Sequence, residues 1–228
     1  MPGRSIKSKK TKSSWRIRSY AVLVIALGLI AYAGMGLWQN YRTTHNPQPT
    51  IAKAVITHST NDPDETPPTD ACSSYKASNQ YPERISLPTI GVSGCIERVG
   101  IDQHGAIAVP TNIYTAAWYV RSVLPGQQGV SVIDGHSGGR YANGIFRHLD
   151  KLATGDIFTV IMGSGKKLDY QVYKVQSVPL KKSVEVLLTK DPNISQLNLI
   201  TCSGQYDKTS GLYDKRIIVS AKLVSSSI

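Results

Sequence analysis

The run Leu197-Asn198-Leu199-Ile200-Thr201-Cys202 is typical of a buried β-strand, and it ends on a cysteine. A second run, Arg216-Ile217-Ile218-Val219, begins with an arginine. A thiol at the end of a strand is held rigidly, and an arginine on the neighbouring strand can reach over it. A cation beside the sulfur makes a better nucleophile and can also stabilise an oxyanion. The two runs therefore predict a β-sheet with a nucleophilic site at its edge.

Further strand-like runs precede this pair, and turn residues such as Pro125-Gly126 separate them. The predicted strands are 84–87, 105–109, 129–133, 156–162, 168–178, 197–201 and 216–224. Short helices are predicted at 145–152 and 184–189. Many short strands with few helices indicate a mainly β fold, a closed antiparallel or mixed barrel.

A histidine in a Gly-rich setting, Asp134-Gly135-His136-Ser137-Gly138-Gly139, is the second candidate for chemistry. Such a histidine is usually a solvated loop residue, but flanking glycines also allow an imidazole to project into a cleft. There His136 would protonate a leaving amine and then deprotonate an incoming one. Thr201 and Asp134 are supporting candidates: Thr201 could contact bound substrate, and Asp134 could orient His136 or form an Asx-turn. Together with Cys202 and Arg216, these residues predict acyl transfer through a thioester.

The amino-terminal part of the chain has the pattern of a membrane anchor. Residues 1–19 carry seven basic side chains and no acidic one, and the next 19 residues, 20–38, carry no charge. A helix of that length crosses the hydrocarbon core, and the basic flank orients it with its N-terminus in the cytoplasm. A cleaved signal peptide is the alternative, because Ala31-Tyr32-Ala33 has the form of a cleavage site. Either way, we expect the remainder of the chain outside the cell membrane.

The domain organisation follows from these segments. We expect a basic cytoplasmic tail at 1–19, a transmembrane signal-anchor at 20–38, a Pro/Ser/Thr-rich linker at 39–78 and a catalytic domain at 79–228. Within the linker, Cys72 could pair with Cys95 in an oxidising compartment, or both could stay unpaired. If they pair, Cys202 is the odd cysteine.

Several function classes lack support in the sequence. The formal net charge of +11 comes largely from the tail, and the basic residues of 79–228 form no stripe interleaved with aromatics, so no nucleic-acid partner is expected. The chain contains none of the common metal-binding or phosphate-loop motifs. No metal or other cofactor is therefore expected.

The motifs resemble those of the sortases, a family of membrane-anchored cysteine transpeptidases. The family's Thr-Leu-x-Thr-Cys motif is matched by Leu199-Ile200-Thr201-Cys202, with Asn198 at the first position. Gly135-His136 matches its histidine, and Arg216 matches its arginine at the start of the next strand. The similarity extends over about residues 81–224. It is closer to members with a single N-terminal anchor than to the C-terminally anchored pilin type.

The resemblance implies an eight-stranded β-barrel with one to three short helices. It also implies that Cys202 attacks the Thr-Gly amide of a Leu-Pro-x-Thr-Gly sorting signal on a surface protein. His136 would protonate the departing amine, and Arg216 would hold the oxyanion. An amine from a peptidoglycan precursor or a pilin lysine would then resolve the thioester. Two alternatives remain: another exported cysteine peptidase or transpeptidase, and a tethered, non-catalytic β-domain that binds the cell wall and buries Cys202.

Overall fold

The computed structural model describes residues 75–228, except 103, 104, 140, 190 and 192, together with Gly28 and Gly34. The chain divides into two units, Met1–Lys53 and Ala54–Ile228, and the strands belong to the second. Apart from the two glycines, the predicted tail and membrane helix lie outside the described residues, as does most of the linker. Within the described part of the chain, no helix is long and apolar enough to span a bilayer. The predicted domain boundaries therefore stay predictions.

Eight strands of the described region close into one barrel, in the order β1-β2-β3-β4-β7-β8-β6-β5. The strands are β1 (Pro82–Leu87), β2 (Val92–Val99), β3 (Ala116–Tyr119), β4 (Gly129–Gly135), β5 (Ile157–Met162), β6 (Lys167–Pro179), β7 (Ser195–Asp207) and β8 (Leu212–Ser227). The β2–β3 and β4–β7 pairs are parallel, and the other pairs are antiparallel. The predicted mainly β closed barrel is confirmed, and its sheet is mixed.

Side-chain alternation along the strands divides the apolar residues between two faces. The larger set fills the barrel interior, where Tyr170, Phe146 and Phe158 are its largest fully buried members. The second set lies between the outer face of the sheet and the helix α1 (Leu180–Leu188), which contributes Leu187 to it. We call this second set the α1 face; it consists of Val130, Val132, Val178, Leu187, Ile200 and Ile218.

Some predicted elements differ from the structure. Residues 105–109 form no strand, because the chain turns back on itself there: Asp102 N donates to Ala106 O (2.8 Å), and Ala106 N donates to the Asp102 carboxylate (2.9 Å). Strand β2 escaped prediction because polar and glycine residues interrupt its pattern. A Cβ at Gly94 would lie 2.5 Å from Ile145 Cδ1, so the end of that side chain packs against the glycine.

The helix predictions are corrected in the same way. Residues 145–152 form turns and one short 3₁₀ segment, Leu149–Lys151, rather than an α-helix. Phe146 and Leu149 are nevertheless buried in the barrel interior. The apolar spacing therefore predicted correctly that these residues are buried, but it did not predict their backbone conformation. The second predicted helix, 184–189, is the C-terminal part of α1. Its start was missed because Leu180 directly follows the proline that ends β6.

The cysteines have distinct states. Cys95 is disulfide-bonded, and Cys202 is a free thiol that is half-buried. The partner proposed for Cys95 from the sequence, Cys72, lies outside the described residues. The structure thus leaves Cys202 available for chemistry.

Candidate active site

The parallel pairing of β4 with β7 brings His136 alongside Cys202. Asp134 is the partner of Ile200 in this pair, an offset of 66 positions. His136 and Cys202 each lie two residues further along, so they share that offset. Thr201 is buried and its Oγ1 donates to the Gly135 carbonyl oxygen at 2.7 Å, which ties the two segments together beside the candidate nucleophile. Thr201 therefore holds the site from within the barrel.

The antiparallel pairing of β7 with β8 supplies the third group, because Cys202 and Arg216 are direct partners. Alternation along these strands puts both side chains on the same side as Ile200 and Ile218, at the end of the α1 face. By the same alternation along β4, Asp134 lies on this side as well. Three neighbouring strands thus deliver the predicted site residues to one place.

The local strand bounds differ from the prediction. Cys202 does not end β7, which continues to Asp207, and Arg216 does not begin β8, which starts at Leu212. A bulge between Ser203 and Tyr206 allows the hairpin to continue, with Gly204 at φ 86°. The pairing that does end near Cys202 is the one with β4, whose last pair is Asp134 with Ile200. Cys202 therefore lies where β7 leaves the barrel wall.

The guanidinium of Arg216 is half-buried and anchored by backbone carbonyls. Its Nη1 donates to Tyr213 O at 3.0 Å and to Lys215 O at 2.8 Å. These bonds use one nitrogen of a group that has five N–H donors in a rigid fork. The anchored guanidinium can thus offer further donors to a bound oxygen atom.

His136 is held through both its ring and its backbone. Its Nε2 lies 3.1 Å from the carbonyl oxygen of Pro110. Because that oxygen can only accept, Nε2 carries the proton and Nδ1 is the nitrogen available for proton transfer. The His136 carbonyl oxygen accepts from Phe146 N at 2.9 Å, and Gly144 N donates to Ser137 O at 3.2 Å. The 144–146 segment therefore clamps the histidine backbone.

Sequence reasoning missed Pro110, Gly144 and Phe146 as supports of His136. Gly144 contacts the histidine so closely that an added Cβ would clash with the His136 carbonyl oxygen. At Gly135, an added Cβ would lie 2.5 Å from the Phe146 ring. The available signal was a glycine directly before the apolar pair Ile145-Phe146. Only the tertiary contact shows what that glycine is for.

Asn198, which departs from the family motif, has a structural role. It is fully buried, and its Nδ2 donates to Leu187 O at 2.6 Å. Gln196 Nε2 donates to Asn198 Oδ1 and to Thr189 O, at 3.1 Å each. Carbonyls at the end of a helix lack intrahelical partners. The two amides satisfy such carbonyls and fix the end of α1 on β7.

An open cleft of about 280 Å³ lies at the end of the barrel and reaches Cys202. The β7–β8 hairpin and the 147–151 segment contribute to its walls. Its lining consists of Ser137, Arg147, His148, Asp150, Lys151, Thr201, Cys202, Ser203, Gly204, Tyr213 and Ile217. Cys202 and Thr201 are the predicted site residues that line it. The cleft is polar, and His136, Asp134 and Arg216 are not among its lining residues.

The electrostatics of the site are set by burial and by Asp134. Burial raises the pKa of the Cys202 thiol, Arg216 opposes this shift, and Asp134 adds to it. Burial also raises the pKa of Asp134 to about 6, while nearby His136 and Arg216 act in the other direction. A raised thiol pKa means that Cys202 is held mainly as the thiol at neutral pH. Substrate contacts or proton transfer must then generate the thiolate.

We expect Asp134→Asn to increase the reactivity of Cys202. Removing the negative charge eliminates one cause of the raised thiol pKa, so the pH profile of iodoacetamide alkylation should move to lower pH. At pH 7.5 the alkylation rate should rise about threefold. Asp150→Asn is the control, since that carboxylate lies in the same cleft but is not among the causes of the thiol shift. A profile that moves to higher pH would contradict this assignment.

A closed mixed β-barrel that brings a cysteine and an arginine on two adjacent strands beside a histidine directly after a third defines the class: a β-barrel with a cysteine-based candidate active site. The chain belongs to the sortase family, because the family model described as Sortase domain matches residues 85–224.

Solved structures agree with this family. Sortase A from Corynebacterium diphtheriae is 28% identical with a TM-score of 0.51, and the match covers 65% of this chain and 63% of that chain. Its lid mutant is 26% identical with a TM-score of 0.51, covering 73% and 84% of the two chains. Group B Streptococcus Pilus Island 1 Sortase C2, 21% identical with a TM-score of 0.50, covers 66% and 77% and supports the fold alone. The chain thus spans just under two thirds of the first of these relatives. Comparison with curated protein sequences finds no significant match.

Proposed function

We propose that this chain cleaves a C-terminal sorting signal of the Leu-Pro-x-Thr-Gly type between Thr and Gly and transfers the protein to an amine. One observation carries the proposal: β4, β7 and β8 pair so that His136, Cys202 and Arg216 lie together at one end of the α1 face. A nucleophile, a proton carrier and an oxyanion donor are the groups that acyl transfer through a thioester needs.

The first step forms the acyl-enzyme. The Cys202 thiol passes its proton to His136 Nδ1 as the sulfur attacks the Thr carbonyl carbon, and Arg216 donates to the oxygen as negative charge develops on it. The C–N bond then breaks, and His136 delivers a proton from Nδ1 to the departing glycine nitrogen. The thioester of Cys202 with the Thr acyl group remains.

The second step reverses these roles. A neutral amine attacks the thioester carbonyl, its proton passes to His136, and the C–S bond breaks with the electron pair returning to sulfur. The product is a new amide, and transfer of the proton from His136 Nδ1 to the sulfur restores the starting thiol and neutral imidazole. We propose a peptidoglycan precursor or a pilin lysine as the natural amine.

The acyl side of the sorting signal requires apolar contacts for Leu and Pro. The α1 face ends at Cys202, and Ile107, Tyr119 and Val186 are half-buried apolar side chains at its margin. This margin supports binding of the Leu-Pro end there. Residues 20–38 would hold the enzyme in the cell membrane, with the catalytic domain outside, close to surface proteins during their export.

The test uses the full chain in detergent micelles with a Leu-Pro-x-Thr-Gly peptide library, an amine acceptor and mass spectrometry. We expect cleavage after Thr, a transient protein adduct with the mass of the acyl fragment, and the ligated product. Cys202→Ala should abolish all three. Absence of any adduct, together with a Cys202 that resists alkylation in the folded protein, would overturn the proposal in favour of a non-catalytic binding domain.

A further inference from the structure

The ring of His136 is held by a peptide group whose other end binds a carboxylate. Pro110 O lies 3.1 Å from His136 Nε2, and in the same peptide group Thr111 N donates to Glu97 Oε2 at 3.2 Å. We propose that Glu97 is a positioning residue that orients His136 through the peptide group between Pro110 and Thr111. The proposal rests on the function proposed above and deepens it, because it names a further residue on which proton transfer at the site depends.

The rigidity of this peptide group couples its two hydrogen bonds. A trans peptide group is planar, and its C=O and N–H point in opposite directions. If the plane rotates so that Thr111 N loses Glu97, Pro110 O turns away from the imidazole at the same time. The carboxylate on one side therefore fixes the direction of the carbonyl oxygen that holds His136 on the other side.

Glu97 is half-buried and holds the whole 110–115 segment. Thr111 Oγ1 lies 2.8 and 2.9 Å from the two carboxylate oxygens, and Thr115 Oγ1 donates to Oε1 at 2.8 Å. Within the described residues, every hydrogen bond that Glu97 accepts comes from these two threonines, and no cation forms an ion pair with it. Hydrogen bonds to an ionised acceptor are stronger than those between neutral groups. The carboxylate thus serves this segment alone.

The same segment also supports the backbone of the histidine. Ile113 O accepts from Ile145 N at 3.0 Å, and the next residue, Phe146, donates through its N–H to His136 O at 2.9 Å. The 110–115 segment therefore supports His136 twice, at the ring through Pro110 and at the backbone through the 144–146 segment. Displacing the 110–115 segment would loosen both supports.

The chemical effect of Glu97 is on the tautomer of the imidazole. Connected hydrogen bonds polarise one another, so the negative charge makes Pro110 O a stronger acceptor and favours the proton on Nε2. Nδ1 then stays available for proton transfer. The register pairs Glu97 with Ala117 and Ala117 with Asp134, so two strand spacings, about 10 Å, separate Glu97 from the strand that ends before His136. The peptide group bridges that distance.

The test reads the tautomer of His136 by NMR and the turnover of the sorting peptide by mass spectrometry. The full-length protein in detergent micelles is labelled with ¹⁵N-histidine, and His136→Gln identifies the His136 ring signals among the five histidines. At about pH 8.5, where an ordinary imidazole is neutral, the wild type should show the Nε2–H tautomer. Glu97→Ala should show both tautomers and a kcat lowered about 10- to 100-fold. KM for the peptide should stay within about twofold, because the peptide-binding surface is unchanged.

Two further substitutions at Glu97 separate position from charge. Glu97→Gln keeps an oxygen for Thr111 N, and its NH₂ group can donate to the threonine hydroxyls, which also accept. It should retain the Nε2–H tautomer and a kcat within about threefold of wild type. Glu97→Asp keeps the charge but withdraws it by one methylene group, so it should mix the tautomers; it also serves as the test if the alanine variant does not fold.

Asp169→Ala is the matched control for loss of a carboxylate that binds hydroxyl groups. Asp169 accepts from Thr159 Oγ1 and Ser225 Oγ, both at 2.7 Å, on strands that do not contact the 110–115 segment through it. We expect this variant to keep the wild-type tautomer and a kcat within about twofold. All variants are compared well below their midpoints of thermal unfolding.

The outcomes separate this proposal from the proposed function. If the wild-type protein forms no acyl-enzyme, the proposed function fails, and the tautomer still tests Glu97. An unchanged tautomer in Glu97→Ala overturns the positioning role whatever happens to kcat, because the carboxylate then supports the segment and not the ring. Equal losses of kcat in the glutamine and alanine variants also overturn it, since the charge would then act without the peptide group. Mixed tautomers with lowered kcat in Glu97→Ala, and neither in Glu97→Gln or Asp169→Ala, support it.

Discussion

Arg216→Gln is expected to lower kcat for cleavage of the sorting peptide about 10²- to 10³-fold, the typical effect of removing one oxyanion donor. The substitution keeps a polar side chain of similar length but removes the charge that faces Cys202 across the β7–β8 pair. It also removes the group that opposes the rise of the thiol pKa. The pH profile of Cys202 alkylation should therefore move to higher pH in the same variant. Quenched time courses analysed by mass spectrometry measure kcat. The pH dependence of the alkylation rate measures the change in the thiol pKa.

Lys215→Gln is the matched control for this prediction. Lys215 precedes Arg216 directly, and strand alternation puts its side chain on the other face. Its contribution to the arginine is made through the backbone, since its carbonyl oxygen accepts from Arg216 Nη1. We expect its kcat within about twofold of wild type, the small effect usual for an exposed charge. Equal losses in both variants would show that the positive charge of the strand, and not the guanidinium, supports catalysis.

Arg216→Lys separates the effect of the arginine's charge from the effect of its hydrogen-bonding geometry. Lysine preserves the charge, but its ammonium lacks the planar fork of five N–H donors. If the fork must bond backbone carbonyls and substrate at once, the lysine variant should lose nearly as much kcat as the glutamine variant. A lysine variant with more than about a tenth of wild-type kcat would instead assign the effect to charge alone.

The predictable part of the fold is the part in which strands carry long apolar patterns. β6 alternates over its first half, and β7 and β8 contain continuous buried runs, so their existence followed from local pattern. β2 did not, because Gly94 fills a position where Ile145 packs against the backbone. The apolar residues of 145–152 were recognised correctly as buried but placed in a helix, since a short apolar run does not specify its backbone.

The candidate site was likewise predictable from the sequence only in part. The candidate catalytic residues were visible because a cysteine after an apolar run and a histidine among glycines are unusual in themselves. Their proximity depends on the parallel register of β4 and β7, whose offset of 66 positions is a tertiary property. Pro110 was invisible for a stronger reason: it acts through its carbonyl oxygen, which every residue has. Backbone contacts of this kind leave no signature in the side-chain sequence.

Gly144→Ala is expected to reduce kcat about 100-fold, the typical cost of misplacing a catalytic group by about 1 Å. The added methyl group would clash with the His136 carbonyl oxygen, so either the histidine or the 144–146 segment must move. Either movement weakens the bond from Phe146 N to that oxygen (2.9 Å). The overpacking should also cost about 1–3 kcal/mol of unfolding free energy. Steady-state kinetics well below the midpoint of thermal unfolding, with the midpoint itself recorded, measures the two effects separately.

Gly138→Ala distinguishes displacement of His136 from a general effect of stiffening this loop. Gly138 lies two residues after the histidine, but a Cβ there would lie 3.4 Å from Ala142 O, an ordinary contact. Both substitutions reduce the freedom of the unfolded chain equally, and only Gly144→Ala presses on the histidine backbone. We expect Gly138→Ala to retain activity within about twofold and to be as stable as wild type or slightly more stable. The Gly144 variant should keep Cys202 open to alkylation while losing turnover, because its nucleophile is intact and its proton carrier is not. Loss of alkylation as well would mean that the 144–146 segment supports the whole barrel end, and that the role of Gly144 extends beyond His136.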